Sequence, residues 1–145
     1  MSFLDAFQGY HQIPLALGDQ EKTVFVISIG NYHYKVMPFG LKNAGSTYQG
    51  IMTRMFEQQL GKNIEVYIDD MVVKSKMVFE HVEDLENIFE ILRKHKLCLN
   101  ASKCFVGVGS DKFLGYMVTY RGIEVNPDQV MEINSLWPPW NPKEV

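Results

Sequence analysis

Two aspartates, Asp69 and Asp70, stand side by side between the largely apolar, strand-like residues 64–68 and 71–73. A carboxylate is costly to bury unless a cation or several hydrogen bonds compensate it, and two in succession double the difficulty. The flanking residues are rich in Ile, Val and Tyr, which favour strands, while Asp favours turns. The sequence therefore predicts a tight antiparallel hairpin with an acidic tip, and positive charge close to it.

The other segments fit around such a hairpin. Residues 23–29 and 32–37 read as a second hairpin joined at Gly30-Asn31. Residues 43–60 carry Tyr48, Ile51, Met52, Met55 and Phe56 at helical spacing, with Asn43, Ser46 or Thr47 available as a cap. Residues 79–97 carry Val82, Leu85, Ile88, Phe89 and Leu92 on one face, with acids early and bases late as the helix dipole prefers. Residues 112–119 and 123–125 suggest a further hairpin around Arg121-Gly122. Helices mixed with hairpin-connected strands predict an α+β fold, an antiparallel sheet with helices packed on one face.

Length and composition bound the reading. With 145 residues, 46% of them apolar, the chain can bury the core of one ordinary domain. We take residues 1–136 as that domain and 137–145, which include Trp137-Pro138-Pro139-Trp140-Asn141-Pro142, as a tail leading away from it. The start, where Phe3-Leu4 and Asp5 follow almost at once, reads as a chain entered inside a strand, so truncation at both ends is expected. The 14 basic against 17 acidic residues do not advertise a phosphate-binding surface. Two cysteines, Cys98 and Cys104, are too few for a disulfide scaffold, and with His95 they fall short of a zinc site. No apolar run is long enough to span a membrane, so an intracellular, reducing setting is expected, whether a cytoplasmic particle or the nucleus.

Taken alone, Tyr67-Ile68-Asp69-Asp70 is as consistent with an ordinary polar turn as with a reactive site. Its company changes the reading. Leu4-Asp5-Ala6-Phe7-Gln8-Gly9-Tyr10-His11-Gln12-Ile13, Met37-Pro38-Phe39-Gly40-Leu41-Lys42-Asn43-Ala44 and Phe113-Leu114-Gly115-Tyr116 accompany it. In this order the four strings resemble the reverse transcriptases of gypsy-type long-terminal-repeat retrotransposon Pol polyproteins, over nearly the whole chain.

The resemblance implies a ferredoxin-like palm of a right-hand polymerase with a partial fingers hairpin. It implies RNA-directed DNA polymerase activity, adding deoxynucleotides to a primer on an RNA or DNA template. Asp5, Asp69 and Asp70 would be catalytic and would hold two magnesium ions, with manganese as a substitute. Asp5 and Asp69 are expected as the principal ligands. Asp70 ranks as supporting, because neighbouring strand side chains point to opposite faces unless the turn bends the backbone. Magnesium takes six oxygen ligands at about 2.1 Å, and a pair of ions roughly 4 Å apart clamps the attacking and leaving oxygens.

By the same resemblance Tyr10 would lie under the incoming sugar and select deoxynucleotides; read from the residues alone it is a core aromatic. Phe39 and Gly40 would line the nucleotide pocket, or else form a turn before a helix. Lys103 would sit near the triphosphate, or be solvated surface. The hairpin around Phe113 and Tyr116 would grip the primer end, or be core. Gly45 and Gly50 depart from the Pro and Arg that the family often carries there. The missing outer fingers, thumb and ribonuclease H parts imply weak catalysis by this chain alone and self-association through exposed apolar surface. They leave open a second reading, an inactive remnant that binds nucleic acid or protein. A third, another metal-dependent phosphotransfer domain on the same sheet, is disfavoured by the four motifs in order.

Overall fold

The computed structural model describes residues 1–136; the expected tail at 137–145 lies outside the described residues. Two compact units divide at Gly107 and Val108, a division inside 1–136 that the sequence reading does not draw.

The first unit is built on a three-stranded antiparallel sheet, β1 (Ser2–Asp5), β4 (Ile64–Tyr67) and β5 (Asp70–Val73), with β5 in the centre. The register pairs Leu4 with Met71 and Met71 with Val66, and it pairs Ser2 with Val73 and Val73 with Ile64. Because side chains alternate along a strand, these residues share one face. Leu4, Ile64, Met71 and Val73 join Tyr48 and Met52 of α2 (Ala44–Met55), Phe56 just beyond it, and Leu85, Ile88 and Leu92 of α3 (Glu80–His95) in one buried core. The helices thus lie on one face of an antiparallel sheet, as the sequence predicts. Tyr48, Met52 and Phe56 follow one another at the helical i, i+4 spacing and are each wholly buried.

Two expected boundaries move, and one helix face differs. α2 ends at Met55 instead of 60, because Phe56 leaves helical geometry with its side chain in the core, and the Leu60 N–H turns back to the Phe56 carbonyl. The hairpin of β2 (Phe25–Ile27) and β3 (Gly30–Tyr32) turns at Ser28-Ile29, since Ile27 pairs with Gly30. On α3, Val82 is exposed and His81 is buried. A helix side chain covering hydroxyls satisfies more of the interior there than another apolar one would. A short helix α1 (Leu17–Gln20) connects β1 to β2.

The second unit is a meander, β6 (Ser110–Phe113), β7 (Tyr116–Thr119) and β8 (Gly122–Val125), followed by α4 (Pro127–Ser135). The run 112–119, expected as one strand, is broken by a turn at Leu114-Gly115. Pro127 opens α4, where its missing N–H costs nothing, and the Asn126 side chain caps it by accepting from the Asp128 N–H.

Candidate active site

The acidic tip forms where β4 turns into β5. Tyr67 pairs with Asp70, so the two turn residues are Ile68 and Asp69. Ile68 takes a φ of 51°, a left-handed conformation that a β-branched residue resists. Gln49 of α2 holds it there. The Ile68 N–H donates to Gln49 Oε1 at 2.8 Å and Gln49 Nε2 donates to the Val66 carbonyl at 3.1 Å. One side-chain amide thus spans both sides of the strained residue, and the turn that bends the backbone at Asp69-Asp70 is fastened to the helix beneath.

Asp5, at the end of β1, is the direct cross-strand partner of Asp70, so these two carboxylates lie on the sheet face opposite the helices. Beyond β1 the ladder continues, with the Ala6 N–H donating to the Asp69 carbonyl. The Asp5 N–H donates to Cys104 Sγ at 3.5 Å. Next in sequence to that thiol, Lys103 places Nζ 3.6 Å from Asp5 Oδ2. The positive charge expected near the tip is therefore supplied by Lys103.

One lysine does not balance three acids. Burial raises the Asp69 carboxyl above the usual carboxylate range, and the charges of Asp5 and Asp70 add to this; the Tyr48 phenol and Lys103 work against it. Asp70 is raised by burial and then by Asp5, with Lys103 again opposing. Asp69 differs from its neighbours in facing the helix side. Its Oδ1 is buried without an aligned hydrogen bond, as is the Tyr48 hydroxyl beside it. Both press on Gly9, where an added Cβ would stand 2.0 Å from Asp69 Oδ1 and 2.4 Å from the Tyr48 oxygen. A side chain of any size at residue 9 would displace the carboxylate.

The expected nucleotide-pocket residues adjoin this cluster. The Tyr10 ring meets Phe39 edge-on at 5.1 Å and Tyr48 edge-on at 5.4 Å. Phe39 is 63% exposed and offers a free ring face. Gly40 adopts a φ of 89° in open space, so its role is conformational, with no close backbone neighbour yet against it. Gln12 fixes the loop that carries Tyr10. Its Nε2 donates to the Phe7 and Cys98 carbonyls at 2.6 and 3.0 Å, and its Oε1 accepts from the Cys98 N–H at 2.7 Å.

Asp5, Asp69, Asp70 and Lys103 are thus gathered at one end of the sheet, with Tyr10, Phe39 and Gly40 beside them. The hairpin carrying Phe113 and Tyr116 belongs to the second unit. Gly9, Gln12, Tyr48 and Gln49 escape the sequence reading as site residues. Gly9 and Gln12 were visible only as members of the string from Leu4 to Ile13, and Tyr48 only as a core position.

The donor set suits a hard divalent cation: all-oxygen, three carboxylates, one of them with an orphaned buried oxygen. Among the described residues no three carboxylate, imidazole or thiol groups already stand close enough to enclose an ion. The acids are neighbours, and Asp69 is turned toward Tyr48.

Fold and acidic cluster together define a polymerase palm, and the comparisons agree. The family model described as "Reverse transcriptase (RNA-dependent DNA polymerase)" matches residues 1–118, and the chain belongs to that family. Within it, the relatives are Pol polyproteins of gypsy-type retrotransposons. The chain is 36% identical over 142 residues to the Pol polyprotein of transposon 297 of Drosophila melanogaster, covering 98% of this chain and 13% of that one. It is 34% identical over 130 residues to that of transposon gypsy from the same fly, covering 90% and 13%. The chain therefore spans about an eighth of the length of these relatives. Among solved structures, the foamy viral protease-reverse transcriptase in complex with double-stranded DNA superimposes with a TM-score of 0.88 at 24% identity, over 99% of this chain and 30% of that one. The same viral protein in complex with an RNA/DNA hybrid gives 0.85 at 23%, over 95% and 19%. The reverse transcriptase family generally uses divalent metal ions.

Proposed function

We propose that this chain is the catalytic core of an RNA-directed DNA polymerase, adding deoxynucleotides to a primer paired with an RNA or DNA template. The observation that carries the reading is the gathering of Asp5, Asp69 and Asp70 at one end of the sheet with Lys103 as their only described lysine partner. Such a cluster is short of positive charge, which is the condition for binding divalent cations.

Asp5, Asp69 and Asp70 would hold the cations, two magnesium ions or manganese in their place. Bound there, the ions would lower the cost of charge developing on the attacking and leaving oxygens. The chain's own groups do the rest. Gln49 fixes the strained turn so that Asp69 and Asp70 serve one site from adjacent positions. Lys103 tempers the repulsion and offers its Nζ to a triphosphate. Tyr10, braced by Phe39 and Tyr48, would meet a 2′-hydroxyl with its ring and so select deoxyribose. Phe39 presents a stacking face.

A second reading is a module that binds but does not polymerise. The exposed apolar side chains Val26, Ile27 and Ile29 of the β2–β3 hairpin favour it, as surface ready for further protein or for self-association. Primer extension on an RNA template with magnesium, comparing the chain with Asp69→Asn, decides between them. Extension that disappears in the variant supports the polymerase; no extension by either protein supports the binding module.

A further inference from the structure

Tyr48 touches both Tyr10 and the acidic cluster of the candidate site. Its ring packs edge-on against Tyr10 at 5.4 Å, and its hydroxyl lies beside Asp69 against the bare backbone of Gly9. The side chain is 0% exposed and sits in the middle of the apolar core of α2 and the sheet. A phenylalanine would fill the same space. The hydroxyl adds a buried donor with no aligned partner, and leaving such a group unsatisfied costs about 1–3 kcal/mol. Asp69 Oδ1 beside it is a buried acceptor in the same condition. Donor and acceptor lie side by side, close enough that the phenol already lowers the Asp69 carboxyl, yet not aligned into a regular hydrogen bond.

We infer that the Tyr48 hydroxyl is a positioning group for the metal site, donating to Asp69 when that carboxylate engages a cation and so setting its orientation. The inference rests on the reading of Asp69 as a metal-holding residue. It adds an anchor on the helix side that neither the acidic motif nor the family resemblance supplies. A carboxylate has two oxygens. With one taken by the phenol the other is free for the ion, and a ligand held by an outer partner loses less freedom on binding. Gln49, the next residue on α2, already fixes the backbone of the same turn. The helix thereby governs both where Asp69 stands and how its carboxylate is turned.

The test is Tyr48→Phe in the 145-residue chain, read by calorimetric titration with manganese alone and by urea unfolding in the presence of a chelator. The expected result is a manganese Kd weaker on the order of tenfold, with a metal-free urea midpoint equal to or above that of the wild type. An unchanged Kd in a wild-type chain that binds manganese overturns the inference and leaves the metal site standing. A lower metal-free midpoint with an unchanged Kd overturns it too, marking the hydroxyl as structural support. A wild-type chain that binds no manganese overturns both this inference and the metal-holding reading beneath it.

Discussion

The two ends of the β1–β5–β4 sheet hold polar groups in opposite ways. At the end carrying Asp5, Asp69 and Asp70, like charges face one another and a buried oxygen lacks a partner. At the other end, Ser2 is completely buried yet fully engaged. The Gly107 N–H donates to Ser2 Oγ at 3.0 Å, and Ser2 Oγ lies 2.7 Å from His81 Nε2. His81 Nδ1 lies 2.9 Å from Ser75 Oγ, which donates to Asp84 Oδ2, and Asn63 Nδ2 donates to Asp84 Oδ1 at 2.9 Å. One tautomer satisfies Ser2, His81, Ser75 and Asp84, and leaves only the Asn63 Oδ1 of this group buried without a partner. With the proton on Nδ1, Ser2 donates to Nε2 and Nδ1–H donates to Ser75. The chain of donors ties β1, α3 and the segments flanking β4 and β5 together. A chain of paired donors and acceptors stabilises the fold, whereas like charges brought together cost stability unless something compensates them.

Substitutions at the two ends are expected to separate these roles. The largest effect falls at the satisfied end. His81→Ala leaves Ser2 and Ser75 without their shared partner and opens a cavity, so urea unfolding is expected to show a loss of about 2–3 kcal/mol, with manganese affinity unaltered. Gly9→Ala comes next, at the acidic end. Its methyl group meets Asp69 and Tyr48, and a loss of roughly 1–3 kcal/mol should be accompanied by a much weaker metal response in thermal melting. If the variant keeps the wild-type rise of Tm with manganese, Gly9 is not there for the sake of Asp69.

A smaller effect of opposite sign is expected at Asp70. Asp70→Asn relieves the repulsion from Asp5 across the strand pair and should raise metal-free stability by a few tenths to about 1 kcal/mol, while reducing the stabilisation that metal gives. A loss of metal-free stability would show that the acidic end is not strained by its charges.

The pH dependence sharpens the contrast further. Burial holds His81 below its ordinary value of 6.5, helped by the Met1 amino group and opposed by Asp84. The unfolded chain therefore takes up this proton more readily than the folded one. Stability from His81 is whole above about 6.5 and is lost as pH falls below that value toward the lowered folded one. Urea midpoints measured from pH 7.5 to 5 should fall, and the His81→Ala variant should show a flatter profile. An identical slope in both proteins would place the titrating group elsewhere.

Much of this was legible in the chain itself. The acidic hairpin follows from β-forming residues around two aspartates, and both long helices follow from apolar spacing, because local propensity and period need no knowledge of the rest of the fold. The candidate site residues Asp5, Asp69, Asp70, Tyr10, Phe39 and Gly40 were reached through strings of several residues each, and Lys103 only through the family resemblance, since a single lysine carries no signal of its own. Val82 was placed inward and His81 ignored because a helical wheel weighs hydrophobicity. His81 is inside for its two nitrogens, which matter only once Ser2 and Ser75 are brought to it.

What the sequence determined by itself is therefore the set of elements and the acidic turn, which depend on neighbours within a few residues. The tertiary structure alone decided that Asp70 faces Asp5 while Asp69 faces Tyr48, that Gln49 holds the turn, and that Gly9 leaves room for a carboxylate. Each is a contact between residues far apart in the chain, fixed by strand register and helix docking, and neither periodicity nor propensity carries information about which distant side chain will be met.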